Sequence, residues 1–150
     1  MSEQGLVQTL KDAVKASMRA KDKPRVQALR LIQAELKRVE VDERIELDDA
    51  RVISILDKML KQRRDSIKQY EDAGRNELAE GELYEVNVIQ DFLPEALSEE
   101  ELSAIVVKAI ADSDASGMQD MGKVMGLVKP QIQGRAEVGK VSQLVKSKLA

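Results

Sequence analysis

Apolar residues recur at helical spacing along most of this chain, and polar stretches with helix-breaking residues separate the stripes. Leu6, Leu10, Val14 and Met18 repeat every four residues, which predicts a first helix from Gln4 to Ala20 with one narrow apolar face. Lys21-Asp22-Lys23-Pro24 interrupts it. Proline in a first turn with an aspartate beside it favours a second helix, running to about Glu40 and burying Leu29, Ile32, Leu36 and Val39. So short a link makes the two helices antiparallel neighbours. After an irregular charged stretch, residues 41–47, Asp48 or Asp49 can accept from the open N–H groups of a third helix, and Gly74 can close it in the left-handed conformation. That helix, about 25 residues, would be roughly 37 Å long.

Val52, Leu56, Met59, Ile67 and Tyr70 form a heptad-like seam on the third helix, and Arg63 interrupts it. A guanidinium on such a stripe must snorkel to water, find a carboxylate or await a ligand. A structural ion pair with Glu85 of the fourth helix is the expectation. That helix is read as Asn76 to Leu93, with Val88, Ile89 and Phe92 inward and Pro94 ending it. Ser98-Glu99-Glu100-Glu101 is a capping box opening a fifth helix with Leu102, Ile105, Val106, Ala109 and Ile110 on its core side. Pro94 to Ser98 is therefore the expected hinge, with a second polar linker at residues 112–117.

The last stretch reads as a helical hairpin. Met121, Val124, Met125 and Val128 mark one apolar face, Val141, Leu144, Val145 and Leu149 another, and Gly134-Arg135-Ala136 turns between them. The sixth helix should begin near Gln119 and kink or end at Pro130. Gly122 and Gly126 share a face and each weakens a helix, so a neighbouring helix approaching their backbone closely is the simplest reason for them. No strand-like alternation of useful length and no fixed-period repeat occurs. The expected fold is all-α and multihelical, a bundle of about four helices over residues 1–95 with a small three-helix lobe over residues 96–150.

Composition narrows the chemistry. The 150 residues contain no cysteine and no histidine, so disulfides, thiolate metal sites, a thiol nucleophile and the usual near-neutral base are all missing. No catalytic residue, cofactor or metal ligand is assigned. No apolar run approaches 18 residues and no apolar signal region follows the charged N-terminus, so no membrane is expected and the expected location is cytoplasmic. The net charge of −3 hides an asymmetry: residues 1–70 carry 16 basic and 12 acidic groups, residues 71–116 carry 2 and 13, and residues 117–150 carry 6 and 2. Solvated helix faces would account for such runs. An anionic partner for the basic ends is the sharper reading, with Lys123, Lys129, Arg135 and Lys140 in the hairpin and Lys61, Arg64 and Lys68 on the third helix as candidate contacts.

Leu29-Arg30-Leu31, Lys61-Gln62-Arg63-Arg64-Asp65-Ser66-Ile67, the run from Phe92 to Leu102 and Asp120-Met121-Gly122-Lys123-Val124-Met125 together resemble the GatB/YqeY family over almost the whole chain. The likeness is closest to its stand-alone bacterial members, with Phe92 where a tyrosine is usual and Glu137-Val138-Gly139 where an Asp-Gly-like sequence is typical. Gly122 to Gly126, Gly134 to Ala136 and Val141 to Leu149 also resemble the tail domain of GatB, a component of the glutamine-dependent tRNA amidotransferase. The resemblance implies an all-helical accessory protein with a tRNA-binding or amidotransferase-associated role, related to carbon–nitrogen ligases that use glutamine as amide donor. It implies no catalytic residue, and the chain is too short for the cradle domain where that chemistry resides.

Two readings follow from residues and resemblance together. One is an accessory module binding tRNA or another structured RNA through the seven cations above. Tyr70, Tyr84 and Phe92 are the only aromatic residues and sit among core neighbours, which favours backbone recognition over base stacking. The alternative is a helical protein–protein interaction module without RNA binding, its partner an amidotransferase or a translation-related protein.

Overall fold

Capping residues set where the helices begin. In the computed structural model, which describes residues 5–150, the fold is all-α and multihelical, with seven α-helices and no strand among the described residues. Helix α1 is Leu6–Arg19, α2 Lys23–Glu43, α3 Asp49–Asp72, α4 Asn76–Gln90, α5 Glu99–Asp112, α6 Met121–Ile132 and α7 Val138–Leu149, with a 3₁₀ turn at Met118–Asp120 before α6. Gln4, the expected start of the first helix, lies outside the described residues.

Two adjacent aspartates divide the work of starting two helices. Asp48 accepts from Arg51 N–H at 2.8 Å and caps α3, while Asp49 reaches across to accept from Leu6 N–H at 2.8 Å and caps α1. Asp22 accepts from Arg25 N–H at 3.2 Å, with Pro24 in the first turn of α2. Helix α2 continues past the expected end at Glu40 to Glu43 and is closed by Arg44 in the left-handed conformation. Gly74, at φ 73°, ends α3. Helix α4 stops at Gln90 rather than Leu93. The N–H groups of Asp91, Phe92 and Leu93 bond to carbonyls three residues back, a tightening consistent with the restriction Pro94 places on Leu93.

Two compact units result, the first ending at Leu93 and the second Pro94–Ala150. In the first, α3 packs along α4 and α1 along α2, around Leu10, Leu29, Ile32, Val52, Leu56 and Ile89. In the second, α5, α6 and α7 pack pairwise around Val106, Val124, Val128, Ile132, Val141 and Val145. The stripe expected on α1 drifts. A strict four-residue step advances about 400° around a helix of 3.6 residues per turn, so three steps carry Met18 about 120° away from Leu6. Met18 is accordingly 52% exposed, and Ser17 is buried in its place.

Pro94 to Ser98 is not slack throughout. Leu97 N–H donates to Arg135 O at 3.0 Å, and Arg135 Nε donates to Glu95 O at 3.0 Å, strapping this segment to the second unit. Phe92 is buried in the first unit. The chain passes from the first unit to the second at Leu93–Pro94, and a broad-specificity protease should cut first within residues 90–98, giving two fragments resolved by mass spectrometry. Earlier cleavage inside Val52–Tyr70 would contradict the division.

Candidate functional site

The candidate cations fall into two sets with different geometry. Lys61, Arg64 and Lys68 lie on the unbroken helix α3 at i, i+3 and i+7, which places them within about 60° of one another around the axis and about 10 Å apart end to end. Lys61 and Lys68 are exposed and Arg64 half-buried. They make a single stripe on α3, separate from its core residues Val52, Ile55, Leu56, Met59 and Leu60.

The hairpin cations are not gathered in this way. Lys123 and Lys129 are both exposed on α6, but six residues of helix separate them by about 120° around the axis. Lys123 Nζ sits 4.0 Å from Asp120 Oδ1. Lys140 is exposed in the first turn of α7. Arg135 holds the turn: besides its bond to Glu95 O, its guanidinium lies 3.9 Å from Glu101 Oε2, and 36% of its side chain remains exposed. Glu101 therefore turns toward Arg135, and the capping box is half-formed, with Ser98 Oγ accepting from Glu101 N–H at 3.1 Å and no return bond.

Gly122 and Gly126 correct the expected close approach. A Cβ on either would meet no atom of a described residue within 4 Å, so no described residue presses on them. They lie with Leu127, 43% exposed, on the outer side of α6. Proline likewise ends α6 less abruptly than expected: Pro130 is accommodated inside the last turn, and the helix continues to Ile132. The turn is then made by Ile132 O, which accepts from Arg135 N–H at 2.8 Å and Ala136 N–H at 3.1 Å, with Gly134 at φ 75°.

Arg63 meets two carboxylates on α4. Its Nε is 2.6 Å from Glu85 Oε2 and 3.7 Å from Glu82 Oε2. The short separation is an ion-pair contact rather than a well-aimed hydrogen bond, because the Nε–H is not directed along it, and Glu82 Oε2 is buried without a hydrogen-bond partner. One cation thus faces two anions at the α3–α4 interface. Burial raises the Glu85 carboxyl above its usual range, Arg63 opposes that shift, and Glu82 adds to it. Glu35 shifts the other way, lowered chiefly by its hydrogen bond from Arg38.

The signs give opposite pH responses. Glu85, raised in the fold, contributes stability that is full below the usual 4.5 and is lost as pH rises through its raised value. Glu35, lowered in the fold, contributes stability present above 4.5 and lost as pH falls through its lowered value. Glu85→Gln should therefore gain melting temperature relative to the parent as pH rises from about 4.5 toward 7. Parallel melting curves across that range would refute the assignment.

Tyr84 departs from the expected core setting, being 39% exposed on α4, and Phe92 is buried in the turn after that helix. Among the described residues, no group of three or more acidic side chains is placed to hold a metal, and no helix is long and apolar enough to cross a membrane.

The sequence profile of a family described as Yqey-like protein matches residues 7–149. The chain is also similar to Altered inheritance of mitochondria protein 41, mitochondrial, from two fungi. With the protein of Pyrenophora tritici-repentis it is 31% identical over 125 residues, 82% of this chain and 68% of that one. With that of Kluyveromyces lactis it is 30% identical over 147 residues, 93% and 72% respectively.

Proposed function

The chain belongs to the Yqey-like protein family, and from that premise we propose that it is an accessory module that binds tRNA or a similarly structured RNA through the phosphate backbone. The observation that carries the reading is the α3 stripe of Lys61, Arg64 and Lys68, three basic residues aligned on one face of the longest helix. Phosphate contacts position a nucleic acid without reading its sequence, and aligned cations are sufficient for that task. Lys123, Lys129 and Lys140 add exposed charge in the second unit, whereas Arg135 acts mainly as a structural tie. An association with amide transfer on tRNA fits this role, the chain presenting the RNA and a separate enzyme supplying the chemistry. The location that goes with it is aqueous, the cytoplasm or, for the fungal relatives whose names say mitochondrial, that organelle.

Titrating the full chain with bulk tRNA from about 50 to 200 mM salt tests the proposal, because each neutralised phosphate contributes a slope of roughly −0.7 to −0.9 in log affinity against log salt. Lys61→Ala/Arg64→Ala/Lys68→Ala should flatten the slope by about 2 to 3 and weaken different tRNAs about equally. If tRNA is not retained by micromolar protein at the low-salt end, the RNA reading fails.

One observation favours the second reading, a protein-interaction module. The outer side of α6 exposes Gly122 and Gly126 about 40° apart around the axis, a backbone-accessible strip with Leu127 further round at its margin, against which another helix could pack closely. Capture of a protein partner that persists at high salt and is abolished by Leu127→Lys would put this reading first.

A further inference from the structure

The seam between α1 and α2 carries a basic surface that segment charge totals do not reveal. One contact and one shared cleft indicate its register. Arg30 Nη2 lies 3.9 Å from Met18 Sδ, and Lys11 and Lys37 line one cleft of about 240 Å³. Both pairs fit a single antiparallel alignment, since stepping back from Met18 to Lys11 along α1 matches stepping forward from Arg30 to Lys37 along α2. Lys15 and Gln33 then fall opposite each other midway. The seam has Lys11 and Lys15 on one bank, a helical turn or about 6 Å apart, and Arg30 and Lys37 on the other, about 10 Å apart along the axis.

All four cations are exposed, and none makes an ion pair with a described residue. Four other arginines of this unit are neutralised: Arg25 by Asp91, Arg38 by Glu35 and Asp42, Arg51 by Glu43, Arg63 by Glu85. Glu40 is the one carboxylate lining the cleft, at the Lys37 end. Two facing rows of cations with one carboxylate between them repel each other, and that repulsion is relieved by an anion with charges spaced along its length. A single small phosphate would leave most of the rows unmatched. A membrane surface fits poorly, because the seam offers Met18 as its exposed apolar side chain where interfacial helices need a broad apolar face.

We propose that the α1–α2 seam is a second phosphate-backbone contact, to a double-stranded stem of structured RNA, made by Lys11, Lys15, Arg30 and Lys37. It rests on the RNA reading above and adds a surface that the α3 stripe does not include. The stem lies along the seam with its phosphates between the two banks, held by charge and shape and not by base identity.

The test is a salt titration of the full chain with a fluorescent RNA hairpin. The parent is compared with Lys11→Ala/Lys15→Ala/Arg30→Ala/Lys37→Ala and with the α3 triple variant. The seam variant should flatten the log–log slope by about 3 and weaken binding at 50 mM salt by about tenfold or more. Lys15→Gln/Lys37→Gln keeps most of each side chain and should give about half the slope change, which covers the case of a quadruple variant that does not fold. Lys→Arg replacements at Lys11, Lys15 and Lys37 should bind like the parent. If the seam variants melt like the parent and keep its affinity and slope while the α3 variant loses both, the seam proposal is overturned and the RNA reading stands. If the parent binds no RNA, both fall. Seam-dependent retention on phosphatidylserine vesicles without RNA binding would overturn the RNA occupant.

Discussion

Arg63→Ala is expected to lower the melting temperature of the first unit by roughly 8–16 °C, the shift that about 2 kcal/mol produces in a domain of this size. The guanidinium is the cation facing Glu82 and Glu85 at the α3–α4 interface, the most extensive helix pairing in the chain. Removing it leaves two carboxylates opposed, one with an oxygen that already lacks a hydrogen bond. The cost stays below that of a fully buried pair because the Arg63 and Glu85 side chains retain 21% and 26% exposure. Two further variants separate charge from packing. Arg63→Lys restores the cation without the planar fork and should recover part of the loss. Glu85→Gln added to Arg63→Ala removes half of the opposed charge and should recover more. Calorimetry or circular dichroism reads all three, and a shift under about 2 °C for Arg63→Ala would show that water already solvates the cluster.

Some elements were legible because their signals are local. Asp22, Ser98, Gly74 and Gly134 act within a turn of their own position, so residue type alone marks them. The apolar seams of α2, α6 and α7 were legible for the same reason, since periodicity along one helix needs no knowledge of another, whereas on α3 Ile55 and Leu60 are buried beside the expected Val52, Leu56 and Met59, and Tyr70 is only half-buried. Met18 and Ser17 exchanged places because a four-residue repeat leads the true helical period, an error that grows with each step. Gly122 and Gly126 signal either a close neighbour or an open surface, and the choice depends on what packs there, which no spacing within α6 encodes.

The candidate contacts divide along the same line. Lys61, Arg64 and Lys68 form a stripe by helical spacing alone. Arg135 looked like one more hairpin cation until the carbonyl of Glu95, 40 residues earlier, was placed beside it. Asp49 is a similar case, capping a helix that begins 43 residues before it. The α1–α2 seam lies beyond single-helix reasoning altogether, because it exists only once the register between two helices is known. Charge counted along the chain draws attention to the C-terminal hairpin, and the proposals above add the first unit to it.

Ile132→Ala tests that addition and carries the largest expected effect in the second unit. Ile132 is fully buried at the end of α6 among Val106, Val128 and Val141, and its carbonyl holds both N–H groups of the following turn. Truncating a buried isoleucine to alanine costs about 2–5 kcal/mol, through lost transfer energy and the cavity left behind. At roughly 0.05–0.15 kcal/mol per residue, a unit of 57 residues has about 3–9 kcal/mol in all. The variant should therefore show a separate low-temperature loss of helix content, while the transition that responds to Arg63→Ala keeps its position. A single merged transition would mean instead that the two units unfold together. The functional consequence follows from where the cations lie. With the second unit melted, Lys61, Arg64, Lys68 and the four seam cations remain on folded helices, so an RNA hairpin should still bind, its salt slope reduced only by the share of Lys123, Lys129 and Lys140. Release of the RNA in step with the low-temperature transition would return the interface to the C-terminal hairpin.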